Sequence, residues 1–132
     1  MNFELSFGSI SIVDEHIAEV IVNEDTVMTL EMCEEYDAFL EEQFPHPFAI
    51  LVNKLHNYSY TFEAKLHIAS LEHLMAIAVV TYNKYGTEQT QKVLDQRAVD
   101  GLVLKEFSGL KMGRQKALSW LETVLADSMI KP

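Results

Sequence analysis

Two short segments of the 132-residue chain concentrate tyrosine, asparagine and lysine, and each directly follows a predicted buried strand. The candidate binding residues are Asn53, Lys54, Asn57, Tyr58, Ser59, Tyr60 and Thr61 in the first segment, and Tyr82, Asn83, Lys84 and Tyr85 in the second. Phenols, amides and ammonium groups suit a small ligand or a protein surface equally well, or they merely cover the end of the sheet. Because ligands of open α/β sheets bind at the carboxyl ends of the strands, we expect a binding site where the two segments meet.

Motifs of catalysis and of cofactor binding are absent from the sequence. There is no glycine-rich phosphate loop, no G-x-S-x-G and no H-E-x-x-H. The five histidines show no metal-ligand spacing. Cys33 lies on the apolar side of a predicted helix and precedes Glu34 and Glu35, which favours a core residue over a reactive thiolate. We therefore expect no enzyme, no cofactor and no metal site; acid/base catalysis by Lys84 or a tyrosine has no supporting constellation.

The charge of the chain is negative and unevenly distributed. The sequence has 20 acidic and 10 basic residues, a net charge of −10, and residues 1–53 contain no lysine or arginine. Such a balance argues against nucleic acid as a partner. The acidic half forms either a solvated surface or a docking face for a basic partner. Lys111, Arg114 and Lys116 begin the last predicted helix, where either a bound anion or salt bridges to the acidic half would accommodate them.

Features of secretion and of membrane insertion are also missing. The apolar run Leu74–Val80 is far shorter than the roughly 20 residues that span a bilayer. The residues after Met1 have no basic character, so we expect no signal peptide. A single cysteine excludes a disulfide scaffold. These observations predict a soluble, cytoplasmic protein with one domain over residues 1–132.

The elements that must position the candidate site alternate between strands and helices. Apolar residues recurring at every second position, or in short continuous runs, predict the strands: one strand or two short ones over Phe3–Ile12, and further strands at Ile17–Val22, Phe48–Val52, Leu74–Val80 and Leu102–Phe107, the last at or near an edge. The first predicted helix runs from an N-cap at Thr29 to Phe44, with an apolar stripe of Leu30, Cys33, Tyr36, Leu40 and Phe44.

Three more helices follow in the prediction. Thr61 caps a short helix that buries Phe62, Leu66 and Ala69. After a loop over Thr81–Gly86, Thr87 caps a polar helix that ends near Val99, with Gly101 at its exit. The last helix carries a stripe that includes Leu110, Ala117, Leu121 and Leu125. This order predicts an α/β fold with a mixed, mostly parallel sheet, opened by an antiparallel strand pair and covered by helices on both faces.

Several segments resemble one family. The strand IAVV, the helix after it, the strand VLKEF, the final helix with ALSWL and the segment AILVNKLHNYS are similar to those of small bacterial SpoIIAA-like proteins of the STAS/SEC14-type group. The resemblance implies an α/β fold that acts by binding. STAS members antagonise anti-sigma factors or serve as regulatory domains, and SEC14-type relatives hold lipids.

One family motif is missing from this chain. Anti-anti-sigma members carry Asp-Ser-Ser-Gly, with a phosphorylated serine, where this chain has Thr-Phe-Glu-Ala at residues 61–64. Ser59 and Thr61 are the only nearby serine or threonine hydroxyls that could take a phosphate. The resemblance thus predicts a non-enzymatic regulatory or protein-interaction module without the phospho-switch, its contact surface formed by the segments around Tyr58 and Tyr82.

Two further expectations concern partners. A small-ligand or lipid-binding protein of SEC14 type is the alternative function, and it requires an apolar cavity for which 132 residues leave little volume beyond the core. An edge strand and an apolar helix flank could also pair two copies of the chain as a homodimer.

Overall fold

A six-stranded sheet is the centre of the fold in the computed structural model, which describes residues 1–68, 70–97 and 103–130. The strands are β1 (Asn2–Leu5), β2 (Gly8–Asp14), β3 (Ile17–Val22), β4 (Val27–Met28), β5 (Phe48–Asn53), β6 (Ser59–Tyr60), β7 (Leu74–Thr81) and β8 (Leu104–Ser108). The helices are α1 (Leu30–Gln43), α2 (Phe62–His67), α3 (Lys84–Gln96) and α4 (Gly113–Ile130).

The sheet combines antiparallel and parallel pairing. Its strand order is β1-β2-β3-β5-β7-β8, with β4 and β6 forming a separate two-stranded pair. The β1–β2 and β2–β3 pairs are antiparallel, whereas β3, β5, β7 and β8 run parallel to their neighbours. The predicted α/β fold class, the mixed sheet and the edge position of the last strand are therefore confirmed.

Helices pack on both faces of this sheet because consecutive strand residues point to opposite sides. On one face, Ile50 and Val20 belong to an apolar cluster with Tyr36 and Leu40 of α1. On the other face, Ala49, Leu51, Ala76 and Ala78 form a cluster with Ala117, Leu121 and Leu125 of α4. Small alanines on the strands let α4 lie close to the sheet, and parallel strands buried on both faces take the continuous apolar runs seen in β5 and β7.

Two of the predicted helix caps are confirmed and one is wrong. The Thr29 hydroxyl accepts a hydrogen bond from the Met32 backbone N–H at 3.3 Å, and Thr61 accepts one from Ala64 at 3.1 Å. The cap of α3 is Asn83, whose Oδ1 accepts from the Gly86 N–H at 2.9 Å, rather than Thr87. As a result α3 begins at Lys84, inside the predicted loop.

Other corrections concern burial. Phe62 and Leu66 are 62% and 49% exposed, because the side of α2 that meets the core carries Ala64 instead. Leu110 is 77% exposed, since it lies in a 3-10 turn before α4 begins. Leu30 is likewise exposed, while the rest of the predicted α1 stripe is buried. Ala69, Val99, Gly101 and Leu102, which the predictions also used, lie outside the described residues.

Candidate functional site

An apolar cavity of about 50 Å³ lies between the sheet and the helices α1, α2 and α3. Its floor consists of alternate residues of three parallel strands, namely Val20, Val22, Ile50, Val52, Ile77 and Val79. Tyr36 of α1, Ile68 beyond α2 and Val93 of α3 contribute to the opposite wall. The volume corresponds to the space of roughly three to five water molecules, and an apolar lining offers water few hydrogen-bond partners.

Lys54 lines this cavity directly after β5. It continues the alternation of Ile50 and Val52, which places its side chain on the face of the sheet that packs against α1, opposite to α4. The Lys54 backbone N–H donates to the Val80 carbonyl at 2.9 Å and fixes that register. The residue is only 6% exposed, although lysine is almost never fully buried without a partner.

The Lys54 ammonium contacts aromatic rings instead of a carboxylate. Its Nζ lies 5.0 Å from the centroid of the Tyr58 ring and 5.8 Å from that of Tyr60. No hydrogen bond or ion pair joins this Nζ to another residue in the part of the chain that the structure describes. Cation–π contacts contribute about 0.5–2 kcal/mol, whereas burying an ammonium costs several kcal/mol, so the charge remains undercompensated.

The pKa of Lys54 also shows that its contacts do not offset the cost of burying the ammonium. Burial lowers it from 10.5 to about 8, because the low-dielectric surroundings disfavour the charged form. The negative charge of Glu106 opposes that shift without cancelling it. Glu106 is bound elsewhere, since its Oε2 accepts hydrogen bonds from Thr81 Oγ1 at 2.7 Å and Thr87 Oγ1 at 2.6 Å.

Tyr58 and Tyr60 give this end of the cavity two buried phenols. Their hydroxyl oxygens are 3.3 Å apart, and their rings pack edge to face with centroids 5.5 Å apart. Burial raises the pKa of Tyr60 to about 12 and that of Tyr58 well above 10, so both hydroxyls keep their protons at neutral pH. With Tyr36 and Thr90, which also line the cavity, the site therefore combines one cation, four neutral hydrogen-bonding side chains and an apolar floor.

A second polar network lies on the opposite face of the sheet. Asn53 Nδ2 donates to Glu19 Oε2 at 2.8 Å, and its Oδ1 accepts from the Tyr82 hydroxyl at 2.8 Å. Arg114 of α4 contacts the same Glu19 through Nη2 at 2.7 Å and through Nε. Burial acts to raise the pKa of Glu19, but the hydrogen bonds from Arg114 and Asn53 outweigh it and the pKa is lowered. A salt bridge between α4 and the acidic half is thereby confirmed for Arg114.

The two candidate segments lie side by side, but their side chains do not form one site. Asn83 Nδ2 donates to Asn57 Oδ1 at 3.1 Å and joins the segments. Ser59 pairs with Val27 in the β4–β6 ladder. Lys84 and Tyr85 are exposed in the first turn of α3, with Lys84 Nζ 3.8 Å from Glu88 Oε1. Of the eleven candidates, Lys54, Tyr58 and Tyr60 line the cavity, whereas Asn53 and Tyr82 belong to the Glu19 network.

Helix α2, which ends just before the lining residue Ile68, contacts α1 and α3 and is attached to both. Toward α1, His67 Nε2 lies 2.8 Å from Asp37 Oδ2. Toward α3, the Arg97 guanidinium donates to the carbonyls of Lys65 and Ile68 at the end of α2. The Asp37 carboxyl is largely buried, and desolvation raises its pKa to about 6 although His67 acts to lower it.

The cavity was not predicted from the sequence, although a pattern that places Lys54 on its side of the sheet was present. Phe48, Ile50, Val52 and Lys54 recur at every second position, so the lysine shares a face with core residues. The wall residues from β3, β7 and α1 gave no such signal, because their apolar character is equally typical of a filled core. The Asp37–His67 pair joins two helices and has no local pattern at all.

Comparisons of the chain with family models, with curated proteins and with solved structures gave no match. Within the described residues, no group of three or more His, Cys, Asp or Glu side chains could hold a metal ion. None of the described helices is long and apolar enough to cross a membrane.

Proposed function

We propose that this protein binds a small apolar molecule in the cavity between the sheet and α1–α3. The observation that carries the proposal is the cavity itself, because packed interiors leave few voids larger than a water molecule. Its floor is built from branched aliphatic side chains, which favour an apolar ligand over water. This is the small-ligand function that the SEC14-type resemblance names as its alternative.

Burial of the central candidates favours ligand binding over a protein-interaction surface. Tyr58 is only 3% exposed, and Lys54 is similarly enclosed, so neither offers area to a protein partner. Lys84 and Tyr85 are exposed, and a protein contact through them stays a prediction. Kinship with SpoIIAA-like proteins is likewise a proposal, supported by the alternation of parallel strands with helices after an antiparallel opening.

The proposal is tested by titrating the protein with toluene and with 1-hexanol while recording methyl NMR spectra. We expect shift changes confined to methyl groups of the floor, such as those of Val20, Ile50 and Val79, and a rise in melting temperature. Saturating toluene that leaves these methyl signals unchanged would overturn the proposal.

A matched pair of variants locates the binding. Val52→Phe fills the cavity from β5, and we expect it to weaken toluene binding by about tenfold or more. Val13→Phe introduces the same ring at an exposed position of β2 and should leave binding unchanged. Equal binding by a folded Val52→Phe variant would show that the ligand lies elsewhere.

A further inference from the structure

Lys54 is the only charged residue among the described residues that line the cavity. Its ammonium faces the rings of Tyr58 and Tyr60 at 5.0 and 5.8 Å. Apart from these two tyrosines, Tyr36 and Thr90, the lining is apolar, so Lys54 supplies the one charge that the described residues bring to a largely apolar space.

This charge belongs to a residue that is only 6% exposed, and it has no anionic partner among the described residues. The Nζ has no ion pair or hydrogen bond within the described part of the chain. The carboxylate of Glu106, whose charge acts on Lys54, is engaged by the hydroxyls of Thr81 and Thr87. Two ring contacts compensate an ammonium less well than a carboxylate does, and the site is therefore complementary to an anion.

We infer that the molecule bound in this cavity carries a single carboxylate, which pairs with the Lys54 ammonium while its hydrocarbon part lies on the floor of Val20, Ile50 and Val79. The inference rests on the proposed function and adds the chemical class of the ligand. The rings of Tyr58 and Tyr60 lie beside the Lys54 Nζ, and in this proposal one of their two hydroxyls, which are 3.3 Å apart, donates to the second carboxylate oxygen.

Other head groups fit the same surroundings less well. An amine brings a second positive charge to a buried cation, and an alcohol leaves the cation without an anion. A phosphate monoester carries more negative charge than one ammonium neutralises, and the Glu106 carboxylate lies on the same side. A monoanion matches the single positive charge of the wall.

The test compares hexanoate, 1-hexanol, hexylamine and hexyl phosphate as ligands, with affinities from calorimetry and binding position from methyl NMR. At neutral pH we expect the wild-type protein to bind hexanoate about tenfold or more tightly than hexanol, and the other two more weakly than hexanoate. Lys54→Met should lose the preference for hexanoate while still binding hexanol. Lys84→Met, the same change at an exposed lysine, should keep the preference.

Each contrary result is decisive. Hexanol binding as tightly as hexanoate would overturn the carboxylate inference and leave the proposed function standing. Tighter binding of hexyl phosphate than of hexanoate would overturn the carboxylate inference and indicate a ligand with a phosphate head group. A preference that survives in Lys54→Met would overturn the role of Lys54, and no change at the floor methyls with any ligand would overturn both proposals.

A measurement on the wild-type protein covers the case in which Lys54→Met does not fold. The preference for hexanoate over hexanol should decline between about pH 7 and about pH 10, as the ammonium loses its proton. A constant preference over that range would equally overturn the inference.

Discussion

Asn53 and Lys54 are consecutive residues whose side chains leave the sheet on opposite faces. Asn53 donates to Glu19 and accepts from Tyr82 on the face covered by α4, whereas Lys54 enters the cavity under α1–α3. The peptide between them therefore connects two separate polar arrangements. One of these is internally paired, and the other contains a charge without an anionic partner among the described residues, which is why we propose the second as the ligand site.

Replacing Lys54 by methionine should increase the stability of the ligand-free protein. The folded-state pKa of about 8 lies below the ordinary 10.5, so the folded state releases this proton more readily than the unfolded state. The resulting penalty is fully present below about pH 8 and disappears as the pH rises toward 10.5. We expect Lys54→Met to be more stable than wild type by about 2–3 kcal/mol at neutral pH, and less so near pH 10.

Urea unfolding of both proteins across that pH range measures the difference. Comparing the two proteins cancels titrations that they share, such as those of Cys33 and Tyr60, whose pKa values burial raises to about 12. A stability difference that does not change with pH would contradict the assignment to Lys54.

Removing the Arg114 side chain should destabilise the fold through Glu19. Arg114→Gln leaves a largely buried carboxylate with Asn53 as its remaining hydrogen-bond donor. Because Arg114 itself is about half exposed, we expect a loss of about 2 kcal/mol, below the range for fully buried pairs. In the double variant Arg114→Gln, Glu19→Gln the loss of stability should be about 1–2 kcal/mol smaller than the sum of the losses of the two single variants.

The control is Lys116→Gln, on an exposed turn of the same helix, which should change the free energy of unfolding by less than about 0.5 kcal/mol.

The strands and the first helix could be predicted because their patterns are local. Ile17–Val22 was predicted with the bounds that β3 has, and the Thr29 cap was identified from its residue type and position. The start of α3 could not be predicted from the sequence, because Asn83 and Thr87 are both residue types that commonly cap helices. The Asn83–Asn57 hydrogen bond, between residues 26 apart, accompanies the earlier start.

The candidate site was predicted only in part for a similar reason. Lys54, Tyr58 and Tyr60 were identified as candidates from their residue types. A lysine at the end of a strand is typical of an exposed loop, however, and the burial of Lys54 depends on the packing of the helices over the sheet. Strands β4 and β6 have two residues each, too few for any periodicity, yet their pairing holds Tyr60 beside the cavity. Whether side chains fill a space or leave it open is set by tertiary packing, which no sequence pattern reports.

Substituting Gly8 by alanine should destabilise the antiparallel part of the sheet. A Cβ at Gly8 would lie 2.1 Å from the Ile21 carbonyl oxygen and 2.8 Å from Val22 Cα, and these are backbone atoms that cannot yield without breaking the β2–β3 pairing. We expect a loss of about 2–4 kcal/mol, measured by thermal or urea unfolding.

Gly86 provides the matched control for that substitution. A Cβ there would have its nearest neighbour at 3.5 Å, an ordinary contact, and the residue lies in the first turn of α3. Gly86→Ala should therefore raise the free energy of unfolding by up to about 1 kcal/mol. Equal losses for both variants would show that the close approach at Gly8 is not the cause.

The stability of the fold should decrease as the pH rises through the titration of Asp37, the largely buried α1 carboxyl that contacts His67 of α2. Burial raises the folded-state pKa of this carboxyl from 3.8 to about 6, His67 acts to lower it, and the nearby charges of Glu41 and Glu34 raise it further. Because the folded state holds the proton more tightly than the unfolded state, the stabilisation is fully present below about pH 4 and is lost as the pH rises through about 6. Relative to Asp37→Asn, wild type should lose about 1–3 kcal/mol of stability between about pH 4 and about pH 7. Protection factors of the α2 amides, which remove the intrinsic rise of exchange with pH, should fall over the same range in wild type and in Glu41→Gln, the control that keeps the pair, but not in Asp37→Asn. Protection factors in wild type that stay constant with pH would contradict this role for Asp37.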